Sequence, residues 1–104
     1  MLRIIMRIRK TNIYKKWIKG LQDSRARYRI LTRIKRLEEG NPGDCRFFGD
    51  ISELRINYGP GYRVYFKDAA KEIIILLYGG DKSTQQEDIA KARQIAKLPM
   101  EEEE

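Results

Sequence analysis

The sequence has no histidine and one cysteine, Cys45, in 104 residues. The missing histidine excludes a Ser-His-Asp triad, a histidine metal site and a histidine general acid or base. A lone cysteine forms no intrachain disulfide and fits a reducing compartment. With no histidine to activate it, Cys45 reads as a small strand or loop residue, and a zinc site lacks its ligands. No metal and no other cofactor is expected. Long apolar runs are also missing. The longest, Ile73 to Leu77, is too short to span a bilayer. The opening M-L-R-I-I-M-R-I-R is broken by charge and lacks the apolar core and cleavage site of a signal peptide. The expectation is a cytoplasmic protein that makes no use of a membrane.

Acidic residues are scarce at the front. Residues 1–37 hold 13 Lys/Arg and one acid, Asp23. The net charge is +7, but the four glutamates Glu101 to Glu104 hide part of it: without them 22 basic residues face 11 acids, or +11. A field of that sign draws polyanions such as RNA, DNA, an acidic protein or an anionic surface. The length is that of one domain, expected over residues 1–99, with 100–104 as an acidic, disordered tail.

The apolar pattern predicts an α+β fold. Residues 2–9 alternate loosely and read as a strand. Thr11 or Asn12 can cap a helix to about Leu21, with Ile13, Trp17, Ile18 and Leu21 as its apolar stripe. Ser24 can cap a second helix to about Glu39, in which Ala26, Ile30, Ile34 and Leu37 share one side. Arg25, Arg29, Arg33 and Arg36 fall on an adjoining stripe. No acid relieves them at i+4, so an external phosphate backbone is the better account of their spacing than a solvated face. A loop, Gly40 to Asp44, leads to a short extended piece over Cys45 to Phe48.

A hairpin follows. Gly59-Pro60-Gly61 reads as a three-residue turn that pairs Tyr58 with Tyr62. Ile56 then opposes Val64, and Leu54 opposes Phe66, on an apolar face. Arg55 opposes Tyr65, and Asn57 opposes Arg63, on a polar face. Residues 72–78 are apolar on both faces, as in a covered central strand, and Gly79-Gly80 reads as its end. Thr84 and Glu87 form a capping-box pattern for a last helix to about Leu98, which Pro99 stops. Ile89, Ala92 and Ala96 would face the protein. The order is β-α-α-β-β-β-α: a mainly antiparallel sheet, the first two helices on one face, a C-terminal helix elsewhere.

The polar hairpin face carries chemistry. Arg55, Asn57, Arg63 and Tyr65 project together, and the loop after the last strand adds Asp81, Lys82, Ser83 and Thr84. Arginine holds phosphate through two parallel hydrogen bonds and keeps its charge. Tyrosine offers a stacking face. Positioned cations can stabilise a phosphoryl transition state. Metal-free RNA cleavage by the ribose 2′-hydroxyl is the simplest reaction such a site runs. Arg55 and Arg63 would clamp the phosphate. Lys82, if crowded by arginines, would move a proton, with Asp81 as the alternative base. Gly80-Asp81-Lys82-Ser83 is not a P-loop, because Asp81 stands where the second glycine is required and no glycine lies five positions earlier.

Three strings together, R-L-E-E-G-N-P-G-D, E-L-R-I-N-Y-G-P-G-Y-R-V-Y-F and L-L-Y-G-G-D-K-S-T-Q-Q-E-D-I, resemble the addiction-module killer proteins. These are HigB-like toxins of the RelE/ParE superfamily in bacterial type II toxin–antitoxin systems. The resemblance implies a compact RelE-like fold and metal-independent cleavage of mRNA in the ribosomal A site, which inhibits translation. It implies a cognate antitoxin, typically a helix-turn-helix protein from the adjacent gene, and a higher-order complex with it. Arg63 matches the phosphate-binding arginine of the RelE toxins. Lys82 and Arg55 fall where they place further basic residues. The tyrosine or histidine that some relatives carry near the last helix has no counterpart beyond Gln85 and Gln86. Two other readings share the fold: a ParE-like toxin that poisons DNA gyrase, and a binding module without catalysis.

Overall fold

The computed structural model describes residues 5–99. The first part of the expected N-terminal strand and the acidic tail lie outside the described residues. The elements are β1 (Arg7–Lys10), α1 (Asn12–Gly20), α2 (Ser24–Glu38), β2 (Cys45–Phe47), β3 (Ser52–Ile56), β4 (Tyr62–Ala70), β5 (Ile73–Asp81) and α3 (Gln85–Ala96). A 3-10 turn, Lys82–Thr84, joins β5 to α3. The five-stranded sheet has the order β1-β5-β4-β3-β2, with β1 parallel to β5 and every other pair antiparallel. This is the α+β architecture expected.

Period-two alternation divides the apolar residues between two cores. On one sheet face Leu54, Ile56, Val64, Phe66, Ile74 and Leu76 pack against Tyr14 of α1 and Ile30, Ile34 and Leu37 of α2. On the other, Tyr65, Ile75 and Leu77 pack with Ile51 against Ala92 and Ile95 of α3. β5 is therefore covered on both sides, as its continuous apolar run requires.

Several local features depart from expectation. The cap of α2 is Asp23, not Ser24: its Oδ1 accepts from the N–H groups of Arg25 at 3.0 Å and Ala26 at 3.2 Å. Asp23→Ala should cost about 1 kcal/mol in a denaturant titration, the usual worth of such a cap; an unchanged midpoint would contradict that role. Thr11 caps α1, accepting from the Tyr14 N–H at 2.9 Å. Its hydroxyl also donates to the Leu77 carbonyl at 2.8 Å, which seats the helix on β5. The buried stripe of α1 is rotated from the one expected. Tyr14 is buried and Ile13 is exposed, so the packed series is Tyr14, Trp17, Ile18 and Leu21.

The hairpin register differs by two residues from the expected one. Glu53 opposes Tyr65, Leu54 opposes Val64, Arg55 opposes Arg63 and Ile56 opposes Tyr62. The strands stop at Ile56 and Tyr62, so the connection runs from Asn57 to Gly61, with positive φ at Gly59 and Gly61. A shift of two keeps every side chain on its own face. The polar and apolar faces survive, but each residue has a different partner.

Gly79 and Gly80 do not end β5, which continues through both to Asp81. A register shift beside the Tyr65–Tyr78 pair turns Gly79 toward Trp17 of α1 and Gly80 toward Asp88 of α3. The capping box is also not formed. Thr84 makes no side-chain cap bond to α3, and its hydroxyl instead donates to Asp88 Oδ2 at 2.6 Å. Among the described residues no helix is long and apolar enough to cross a membrane.

Candidate functional site

The polar side chains of β3 and β4 point toward α3, opposite the face that receives α1 and α2. Arg55 and Arg63 are direct cross-strand partners. Two like charges in that position repel unless an anion lies between them. The anion is Glu53, one pleat earlier on β3 and wholly buried. Arg55 Nε stands 3.4 Å from its Oε1, and Arg63 Nε 3.8 Å from its Oε2. The Tyr65 hydroxyl donates to Oε2 at 3.1 Å, and Gln85 Nε2 donates to the same oxygen at 2.8 Å. Burial and the Glu53 charge push the Tyr65 phenol far above its ordinary pKa, so it remains a proton donor.

Arg63 is the more enclosed of the two arginines, at 8 % exposure. Its Nε has no hydrogen-bond partner, and its Nη1 reaches only the Gly61 carbonyl at 3.4 Å. Its neighbour on β5 is Gly80, where the Asp88 carboxylate occupies the space a side chain would take. Arg55 is half-buried, and its Nη1 lies 3.8 Å from Asp44, a pair too exposed to be worth much.

Lys82 meets this pair at the hairpin tip. Its backbone N–H donates to the Pro60 carbonyl at 3.4 Å. A Cβ placed on Gly61 would come within 3.3 Å of Lys82 Cβ and 3.6 Å of Arg63 Nη1, so the three positions converge. Lys82 is exposed to solvent. Asp81 is committed locally: its Oδ1 accepts from the Ser83 N–H at 2.8 Å and the Ser83 hydroxyl at 2.6 Å, opening the 3-10 turn.

Tyr65 and Asn57 do not join this group as expected. Tyr65 is fully buried in the second core, which covers its ring and removes the open stacking face. Asn57 lies beyond the end of β3 and lines a groove on the other side of the sheet. That groove, of about 880 Å³, runs along α2 and is lined by Arg25, Arg29, Arg33, Arg36, Tyr28 and Thr32 among others. The four arginines share it but not equally. Arg33 is turned inward, donating to the carbonyls of Arg55, Pro42 at 2.8 Å and Asp44 at 3.0 Å. The Arg29 guanidinium stacks 4.7 Å above the Tyr58 ring. Tyr28 is 72 % exposed, an aromatic face in open solvent.

The sequence reading missed two buried carboxylates. Glu53 lies two residues before Arg55 on the same strand face, a spacing that could have marked it. Asp88 is nearly enclosed beside Gly80, and a threonine four residues earlier is the signal for its hydroxyl bond. Burial raises the Asp88 carboxyl above the ordinary range, against the opposing bond from Thr84. The folded state therefore holds that proton more tightly than the unfolded chain. The resulting stability is full below the ordinary carboxylate range and is lost as pH rises through the raised value. Asp88→Asn removes this titration. Its melting temperature relative to the unmodified protein should rise from acid to neutral pH; a difference that stays flat would contradict the assignment.

A family model, "Phage derived protein Gp49-like (DUF891)", matches residues 16–97. An uncharacterized protein of Haemophilus influenzae is 47 % identical over 92 residues, covering 88 % of this chain and 93 % of the relative. No solved structure matches the chain. The family match takes in α2 and every residue of the Glu53, Arg55, Arg63 and Lys82 group.

Proposed function

Because the chain belongs to the phage-derived Gp49-like family, a toxin-like family of the RelE/HigB type, we propose that it is the toxin of a type II toxin–antitoxin pair and an endoribonuclease acting on ribosome-bound mRNA. The observation that carries this reading is Arg63: a nearly buried guanidinium with an unpartnered Nε, facing Arg55 and converging with Lys82. Its Nε is turned to Glu53 and its Nη1 makes only a long bond to the Gly61 carbonyl, so an anion with several acceptor oxygens would complete its hydrogen bonding. A phosphodiester is such an anion.

In the proposed reaction the ribose 2′-oxygen forms a bond to the adjacent phosphorus, and its proton passes to solvent. The bond from phosphorus to the 5′-oxygen breaks. Lys82, as an ammonium, gives a proton to the departing oxygen and recovers one from water. The products are a 2′,3′-cyclic phosphate and a 5′-hydroxyl. Arg55 and Arg63 hold the non-bridging oxygens, where charge grows in the transition state. The nucleophile belongs to the substrate, so no metal-activated water is required. Asp81, already bonded to Ser83, has a structural part in this scheme.

The α2 groove supports the RNA reading from the other side of the sheet. Arg25, Arg29 and Arg36 would track a phosphate backbone, with Tyr28 as a stacking surface. The proposed setting is the cytoplasm, with the ribosome and mRNA as targets and a neutralising antitoxin from the adjacent gene as partner. The test is to induce the protein in cells and map transcript ends genome-wide. Cuts within translated regions support the reading. Intact transcripts accompanied by inhibited gyrase would replace it with a gyrase-poisoning one.

A further inference from the structure

We propose that Glu53 is the positioning residue of the phosphate clamp, and that Gln85 fastens it to α3. The inference rests on the reading of Arg55 and Arg63 as that clamp. Glu53 is a buried carboxylate with no access to water, which is tolerated only where opposite charge and hydrogen bonds surround it. It has both. The two arginines approach it from the same side of the sheet, each presenting Nε. Neither contact is a hydrogen bond, so the buried carboxylate orients the two guanidinium groups by charge attraction at Nε, at 3.4 Å and 3.8 Å. Arg63 Nη1 accordingly points to the hairpin tip at Gly61, beside Lys82.

Two hydrogen bonds hold the carboxylate itself. Tyr65 faces Glu53 across the ladder and donates from the second core, and Gln85 donates from the first residue of α3. The position of α3 is thereby relayed through one carboxylate to both arginines, Arg63 beside Oε2 and Arg55 beside Oε1. Glu53 touches no substrate in this arrangement and acts through the guanidinium groups.

The test is Glu53→Gln in the full chain. Glutamine keeps the shape and an oxygen for Tyr65 and Gln85 but removes the charge that orients the arginines. At saturating programmed ribosomes, the cleavage rate should fall by about 10²-fold, the scale of a misplaced reacting group. The ribosome concentration for half-maximal rate should barely change. Nitrogen-15 NMR should show two arginine Nε–H signals displaced from free arginine in the unmodified protein, both moving toward free arginine in the variant. Gln85→Ala should produce the same spectral change more weakly, and it carries the test if Glu53→Gln does not fold. Unchanged arginine signals, or an unchanged rate, would overturn the proposal. An unmodified protein that cuts no RNA would overturn the ribonuclease reading instead, while the arginine spectra would still decide the role of Glu53.

Discussion

Arg63→Ala should lower the cleavage of ribosome-bound mRNA by about 10²–10³-fold, the loss typical when a preorganised donor to a developing oxyanion is removed. It should also release cells from growth arrest. Arg63 combines a buried guanidinium, a place directly opposite Arg55 and convergence with Lys82 at the hairpin tip. Other side chains would not replace it. Lys82 is a point charge at the rim, and Arg55 is held between Glu53 and Asp44. The fold should persist, because Glu53 keeps Arg55, Tyr65 and Gln85 when Arg63 is gone. Arg63→Lys should fall between the two, since lysine keeps the charge and loses the planar fork. Single-turnover cleavage, normalised to folded protein by thermal melting, measures the effect. A folded Arg63→Ala protein that still arrests growth would remove this residue from the chemistry.

Gly79→Ala should destabilise the protein by about 1–3 kcal/mol, the ordinary cost of forcing a methyl into a packed interior. A Cβ at Gly79 would overlap the ring of Trp17, which packs edge-on to Tyr62 and beside Tyr14. The indole belongs to α1 and is held by Tyr14 and Tyr62, so the added methyl must displace the ring from both. Gly80→Ala should cost a similar amount by a different route. Its Cβ would press on the Asp88 carboxylate, coming within 2.8 Å of Cγ, and Asp88 is bonded to Thr84 at the start of α3. Because Gly80 also faces Arg63, this second change should reduce cleavage beyond its effect on folding. Denaturant titration of both variants gives the stabilities; values within a few tenths of a kcal/mol of the unmodified protein would contradict the close packing.

These glycines also mark how far the sequence could be read. A Gly-Gly pair after an apolar strand has the local signature of a turn. Here it arises from two helices pressing on opposite faces of one strand, a tertiary cause that no local pattern carries. The division of the hairpin into an apolar and a basic face was legible, because alternation does not depend on register. The partners were not legible. With a three-residue turn, Glu53 falls opposite Lys67 and away from Arg63. The longer connection actually formed brings it against Tyr65 and between the two arginines. Two residues of register therefore hide the role of Glu53 from the sequence. The stripe Arg25, Arg29, Arg33 and Arg36 lies along one edge of α2, where helical spacing places it. That Arg33 turns inward to bind three carbonyls follows from the path of the 42–44 loop, which helical spacing does not contain.

The most direct test of the account uses purified protein, ribosomes programmed with one defined mRNA, and analysis of the RNA termini. The account predicts cleavage within the ribosome-bound codon region, leaving a 2′,3′-cyclic phosphate on one fragment and a 5′-hydroxyl on the other, with Arg63→Ala leaving the mRNA whole over the same time. Full-length mRNA after incubation with the folded, unmodified protein would contradict it.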